Sequence, residues 1–100
     1  MIILLVKYTC KPGRRADFMR VISENQIDAK SRDEAGNIQY EYSLDIEDKD
    51  VLILTELWKD EEALKLHGEA AHFKLLGQIK DEYVEETQIR RFKAEKMKYQ

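Results

Sequence analysis

The chain has 100 residues, of which 43% are hydrophobic and 37% are charged. This length fits a single domain, and this mixture is typical of a globular protein and excludes a disordered one. The net charge of −3 offers no overall basic surface for nucleic acid, and no stretch reaches the roughly 20 apolar residues that a membrane span needs. We therefore expect a cytoplasmic protein with no nucleic-acid or membrane partner.

The first half of the chain predicts a strand, a helix and a second strand. Residues 2–10 are β-branched and aliphatic, which indicates a strand, and the Lys-Pro-Gly sequence at 11–13 ends it in a turn. Apolar residues then recur at helical spacing over residues 14–30, until the segment 33–37 ends the helix. Residues 38–44 alternate between apolar and polar, which predicts a strand with one apolar face.

The second half predicts a strand, a helix and a last strand. Residues 51–58 form a second aliphatic strand. Asp60 is suited to cap the next helix, which we expect to continue to about residue 79 with a break or kink at Gly68. Residues 83–92 predict a more polar final strand.

The resulting order, β-α-β-β-α-β, predicts an α+β, ferredoxin-like domain with an antiparallel four-stranded sheet in the order 4-1-3-2. The first and third strands are apolar on both faces, as central strands should be, and the other two are more polar, as edges should be. We assign residues 1–92 to this domain and residues 93–100 to a basic C-terminal tail.

Two helices can cover only one face of such a sheet. At roughly 25 cal/mol per Å² of apolar surface, leaving the other face in water would cost several kcal/mol, which is comparable to the stability of a small domain. A second copy of the chain, packed sheet on sheet, is the simplest cover. We therefore expect a homodimer.

Four segments of the chain resemble the antibiotic biosynthesis monooxygenase family. They are the turn at 11–13, the sequence Glu-Ala-Gly-Asn-Ile-Gln-Tyr-Glu-Tyr at 34–42, the sequence Glu-Leu-Trp-Lys-Asp-Glu-Glu-Ala-Leu at 56–64, and His67 with the His-Phe pair at 72–73. The resemblance covers about residues 1–92. It implies a dimeric α/β barrel with a pocket in each subunit between the sheet and its helices.

The resemblance implies more than one chemistry, because members include cofactor-free quinol monooxygenases, haem-degrading proteins and an isomerase of a phosphorylated sugar. The first strand lacks the Asn and the second helix lacks the Trp of the haem-degrading members, and Gly77 stands at the place of their iron-ligating histidine. The chain has no glycine-rich phosphate loop, and two histidines five residues apart without a nearby cysteine are weak metal ligands. We expect no cofactor and no metal.

We therefore expect a cofactor-independent monooxygenase that oxidises a small quinol or hydroxyaromatic compound with O₂. One alternative is an isomerase or other proton-transfer enzyme on a small metabolite, phosphorylated or not. That enzyme would work without O₂, and its pocket should offer cationic side chains. The other alternative is a non-catalytic dimer that binds a small molecule.

Oxidation of a quinol without a cofactor requires a base in a dry pocket. His67 and His72 are candidates, with His67 favoured, although about 140° separates them on a continuous helix unless the chain kinks at Gly68. Glu56 is a third candidate, because it shares a strand phase with apolar side chains. The alternatives are that each histidine caps or flanks the helix and that Glu56 pairs with an Arg or Lys.

Four further residues are candidates to bind the substrate. Asn25 lies in the predicted apolar face of the first helix and can bond either substrate or backbone. Tyr40 could line the pocket or the dimer interface. Trp58 could stack on a ring of the substrate, or it could lie in the core or at the interface. Phe73 is the fourth candidate, and its alternative, a position in the core, is the simpler interpretation.

Overall fold

The two most apolar segments of the chain form the centre of the sheet. The computed structural model describes residues 1–98, which contain four antiparallel strands: β1 (Ile2–Cys10), β2 (Asn37–Leu44), β3 (Val51–Trp58) and β4 (Val84–Lys93). Their spatial order is β2-β3-β1-β4. This arrangement confirms the predicted ferredoxin-like α+β fold, with the first and third strands central.

Each of the two predicted helices is divided into two. The helices are α1 (Arg15–Glu24), α2 (Ile27–Arg32), α3 (Glu61–Glu69) and α4 (Ala71–Tyr83). The prediction of one helix over residues 14–30 is wrong, because Gln26 adopts a left-handed backbone conformation (φ 56°) between α1 and α2. No helix in the described part of the chain is both long and apolar enough to cross a membrane.

The second helix is broken, as predicted, but the break lies at Ala70 and the predicted position at Gly68 is wrong. Ala70 is extended (φ −71°, ψ 145°), whereas Gly68 lies inside α3. The predicted cap is confirmed, since the carboxylate of Asp60 accepts a hydrogen bond of 2.8 Å from the N–H of Ala63. The break turns α4 relative to α3, which matters for the two histidines described below.

The core lies between the helices and one face of the sheet, here called the front face. Alternate side chains of β1 and β3 are buried there, namely Ile2, Leu4, Val6, Tyr8, Leu52, Leu54, Glu56 and Trp58. The opposite, rear face carries half-buried Ile3 and Leu57 in one row with Phe92, which is 44% exposed. The sheet is therefore apolar on both faces but covered by helices on one.

The last strand reaches Lys93, one residue beyond its predicted end. The N-terminal ammonium of Met1 donates to the carbonyl of Ala94, and the N–H of Ala94 donates to the carbonyl of Met1, both at 2.9 Å. Residues 94–98 form no helix or strand. The predicted basic tail spans residues 93–100, of which Tyr99 and Gln100 lie outside the described residues.

A close backbone approach joins the loop before β2 to the first turn of α3. The N–H of Lys59 donates to the carbonyl of Gly36 at 2.9 Å, and a Cβ atom on Gly36 would overlap the Cβ of Ala63. Only glycine fits without displacing α3. This contact brings Glu34, two residues earlier, towards the side chains of α3.

We expect Gly36→Ala to lower the free energy of unfolding by about 1–3 kcal/mol, because the added methyl group must displace α3. Urea unfolding of the purified protein measures this. Adding Ala63→Gly to the same variant should recover part of the loss. Gly77→Ala is the control, since its Cβ would meet nothing within 4 Å and alanine favours the interior of a helix. A Gly36→Ala variant as stable as the wild type would contradict this role.

Candidate active site

A cavity of about 220 Å³ lies between the front face of the sheet and helices α3 and α4. On α4 its wall is a stripe at helical spacing, formed by Phe73, Leu76, Gly77 and Lys80. Gly68 of α3 also lines the cavity, and a Cβ atom on either glycine would meet nothing within 4 Å. The space is therefore left open by two helix positions without side chains.

The floor of the cavity includes one row of residues across the whole sheet. In this row Tyr40, Glu56, Leu4 and Arg91 are neighbours on β2, β3, β1 and β4. Residues that pair across antiparallel strands point to the same face, and all four line the cavity. A carboxyl group thus stands in the middle of an otherwise largely apolar floor.

Glu56 is buried, with 6% of its surface exposed. Burial raises the pKa of its carboxyl group from 4.5 to about 7, and the hydrogen bond that Trp58 Nε1 donates to Oε1 at 3.0 Å offsets part of this rise. Within residues 1–98 no Arg or Lys forms an ion pair with Glu56, and Nε2 of His67 lies 3.9 Å from its Oε1. Glu56 can therefore exchange a proton near neutral pH.

The two histidines meet at one carboxylate oxygen. Oε2 of Glu34 lies 2.6 Å from Nδ1 of His67 and 2.8 Å from Nε2 of His72. Since a carboxylate only accepts, both nitrogens must donate. The rings, whose centroids are 5.7 Å apart, converge because the chain breaks between them at Ala70.

His67 is held in one orientation by its neighbours. Its ring packs on Trp58, with centroids 4.5 Å apart, and against Phe73 at 5.2 Å. Burial lowers its pKa more than the hydrogen bond to Glu34 raises it, so the ring is neutral at pH 7. With its proton on Nδ1, its Nε2 is unprotonated on the side of Glu56.

Three of these residues could hold a metal ion. Glu34, His67 and His72 each offer one ligand atom, and these atoms lie within 4.8 Å of one another. Two histidines and a carboxylate are a set that binds zinc or iron in other proteins. Both N···O distances are those of hydrogen bonds, so the three side chains satisfy one another. The absence of a metal stays a prediction, which chelation tests below.

The structure places four of the seven predicted site residues at the cavity, namely Glu56, His67, Tyr40 and Phe73. Tyr40 is fully buried, and burial raises the pKa of its phenol to about 12. Phe73 is 42% exposed at the cavity and is not simply a core residue. Trp58 and His72 do not line the cavity. Trp58 forms a hydrogen bond with Glu56, and His72 forms one with Glu34.

The prediction that Asn25 lies in the middle of an apolar helix face is wrong. The helix ends at Glu24, so Asn25 is its exposed C-terminal cap. Its side-chain amide donates to the carbonyl of Val21 at 2.8 Å, which matches the alternative of a backbone bond. Asn25 does not reach the cavity.

Sequence reasoning missed three charged residues of the site. Glu34 stood in a segment interpreted only as a helix end, although the family-like sequence at 34–42 begins with it. Lys80 lies seven residues after Phe73 on the stripe of α4, and Arg91 shares its strand phase with Ile89. The seven-residue spacing of Lys80 from Phe73 and the strand phase that Arg91 shares with Ile89 indicate that both cations could face the cavity.

A family model described as antibiotic biosynthesis monooxygenase matches residues 1–76. The chain belongs to this family. The matched segment contains Glu34, Glu56 and both histidines, whereas Lys80 and Arg91 lie beyond it. The matched segment of this chain therefore contains the buried polar part of the site.

Individual relatives agree with this membership. The chain is 39% identical over 74 residues to "Putative monooxygenase YcnE" of Bacillus subtilis (strain 168), covering 73% of this chain and 75% of that protein. A crystal structure from Pseudomonas aeruginosa has a TM-score of 0.84 at 25% identity, covering 95% and 94% of the two chains. One from Deinococcus radiodurans has a TM-score of 0.87 at 18% identity, covering 99% and 97%, and supports the fold alone.

The buried carboxyl group of Glu56 should make stability depend on pH in a defined direction. A pKa raised from 4.5 to about 7 by folding favours the folded state below pH 4.5, and this contribution is lost as pH rises to about 7. Glu56→Gln removes the ionisation, so its stability relative to wild type should improve across this window by up to about 3 kcal/mol and then stay constant.

Chemical unfolding at a series of pH values measures the difference. Taking the difference also removes the opposite contribution of His67, whose lowered pKa makes stability rise with pH. Glu62→Gln, at an exposed position on α3, is the matched control. A difference between Glu56→Gln and wild type that does not change with pH would show that Glu56 is not a buried titrating group.

Proposed function

We propose that this protein is a cofactor-independent monooxygenase that oxidises a small quinol or hydroxyaromatic compound with O₂. The observation that carries this proposal is Glu56, a buried carboxyl group with a pKa of about 7 that faces an apolar cavity. A base works best when its pKa lies near the operating pH. The family and the name of the B. subtilis relative support a monooxygenase.

The reaction begins when the ionised Glu56 removes a hydroxyl proton from the bound substrate. The resulting phenolate gives one electron to O₂, and the two radicals join to form a carbon–oxygen bond at a ring carbon. Loss of that carbon's hydrogen as a proton and cleavage of the O–O bond release water. A hydroquinone and O₂ thus give a hydroxyquinone and water, with one oxygen atom entering the ring.

The surrounding side chains orient Glu56 and provide a second group that can accept its proton. Trp58 fixes one oxygen of Glu56, and His67 offers an unprotonated Nε2 that can accept its proton through a small movement or one water. Glu34 keeps His67 in that tautomer. The phenol of Tyr40 stays protonated at neutral pH and can donate a hydrogen bond to a substrate oxygen.

The cavity suits a small and largely apolar substrate. Its volume of about 220 Å³ lies below the roughly 300–1,000 Å³ of pockets that hold drug-sized ligands, and its walls include Leu4, Val6 and Leu76. A compound of one or two rings matches this space. Filling the cavity would exclude water, which strengthens the interactions of Glu56 and protects the phenolate from side reactions.

Oxygen uptake with a menadiol-type quinol tests the function. We expect turnover without added flavin or metal, unchanged by a chelator and corrected for spontaneous oxidation of the quinol. The ratio kcat/KM should rise with pH through about 7 as Glu56 ionises. Glu56→Gln should lower kcat by about 100-fold or more, and His67→Gln should also lower it. Glu62→Gln is the control, and full activity of Glu56→Gln would contradict the proposal.

We further propose that the protein acts as a homodimer that closes the dimeric α/β barrel. The rear face presents apolar side chains in its central rows, including Ile3, Leu57 and Phe92, on the side opposite the helices. A second copy packed against this face would bury them. Each cavity lies on the front face, so dimerisation leaves it open.

We expect sedimentation velocity to show a dimer at micromolar concentration and Ile3→Glu to shift it to monomer, because the new charge would be buried at the interface. Leu66→Glu is the matched control, since Leu66 lies on α3 and is 55% exposed. Far-UV circular dichroism verifies that each variant is folded. A wild-type protein that sediments as a monomer would rule out the dimer.

A proton-transfer enzyme on a phosphorylated metabolite is the second candidate, and one observation favours it. The cavity is lined by Lys80 and Arg91, the cationic side chains that such an enzyme requires. This enzyme would convert its substrate under nitrogen, whereas the monooxygenase would not. A protein that only binds its ligand would be stabilised by it without turnover.

A further inference from the structure

The cavity reaches the edge strand β4, where two of its lining residues are exposed. Ile89 is 58% exposed, and Arg91 is also exposed. Lys80 lines the cavity from α4, with Nζ 5.4 Å from the centroid of the Tyr8 ring. By contrast, Glu56 and His67 are buried. The cavity therefore has buried proton-exchanging residues at one end and the exposed Arg91 at another, with Lys80 on its α4 wall.

The register of the sheet sets the distance between the two ends. Glu56 and Arg91 belong to one row and are separated by Leu4 on β1. Strands lie about 4.8 Å apart, so their Cα atoms are about 10 Å apart. They form no ion pair with each other, and the space between them is apolar. A substrate of one or two rings has the length to span it.

Neither cation has a carboxylate partner in the structure. Among the ion pairs formed within residues 1–98, none involves Lys80 or Arg91, although neighbouring Lys93 pairs with Glu61. Lys80 is half-buried, and this burial lowers its pKa. An anion beside Lys80 would replace water that the ammonium group has lost. Two cations that line one cavity without a carboxylate partner are suited to hold an anion.

We propose that Lys80 and Arg91 bind an anionic substituent of the substrate, a carboxylate, sulfonate or phosphate, at the end opposite the hydroxyl group that reacts. The assignment of the reacting end rests on the proposed function, whereas binding of the anion does not. The anion fixes the direction in which the ring compound enters, and the hydroxyl group then points to Glu56. Both cations lie outside the segment that matches the family model.

Calorimetric titration with a matched pair of ligands tests this binding without turnover. The pair is 2-naphthol and 6-hydroxy-2-naphthoate, which carries the same hydroxyl group and a carboxylate at the far end. We expect wild type to bind the naphthoate about tenfold or more tightly than the naphthol, and this preference to weaken as salt is added. Lys80→Gln and Arg91→Gln should each reduce it by about fivefold, and the double variant should abolish it.

Controls separate a local site from net charge. Lys30→Gln with Lys74→Gln removes the same charge at exposed positions away from the cavity and should leave the preference unchanged. Binding of 2-naphthol should change by less than about twofold in every variant, which shows that each is folded. Competition by inorganic phosphate or by acetate supports the proposal and tells which anion is held. No preference in wild type, or a preference that survives the double variant, overturns it.

The outcome is independent of the oxidation chemistry. Glu56→Gln should retain the preference for the naphthoate, because the cations lie at the other end of the cavity. If the preference is present and oxygen uptake is absent, the monooxygenase proposal fails and the anion site stands. If uptake is present and the preference is absent, the anion site fails alone.

Discussion

A single carboxylate oxygen, Oε2 of Glu34, organises the polar part of this protein. It accepts hydrogen bonds from His67 and His72, which come from two helices, while Glu34 itself precedes a strand on the other side of the site. The close approach at Gly36 makes this meeting possible, and the break at Ala70 turns both rings towards it. The orientation of His67 towards Glu56 follows from these contacts.

Placing these groups under the helices has an energetic cost that the hydrogen bonds offset. A buried polar group without a partner destabilises a fold by about 1–3 kcal/mol, and no buried side-chain nitrogen or oxygen lacks a partner in the described residues. The hydrogen bond from Trp58 offsets only part of the cost of burying the ionised Glu56, so the pKa of Glu56 stays raised. Groups with perturbed pKa values cluster at functional sites.

The sequence predicted the parts of the fold that depend on apolar pattern. The strands and the unusual place of Glu56 among apolar side chains follow from the apolar pattern, and the strand order follows from the order of the elements. The positions of the breaks did not, because the left-handed Gln26 and the extended Ala70 carry no proline or glycine signal of their own, and the break of the second helix was expected at Gly68. Glu34 was missed since its partners lie 33 and 38 residues away and meet it only in the folded chain.

The protonation of the His67 ring is the most direct test of this network. Long-range ¹H–¹⁵N NMR correlations distinguish the two nitrogens of each imidazole and report which of them carries the proton. At about pH 7 we expect His67 to be neutral, with the proton on Nδ1 towards Glu34 and none on Nε2. A proton on Nε2, or an imidazolium that persists at about pH 8, would contradict the arrangement on which the proposed chemistry depends.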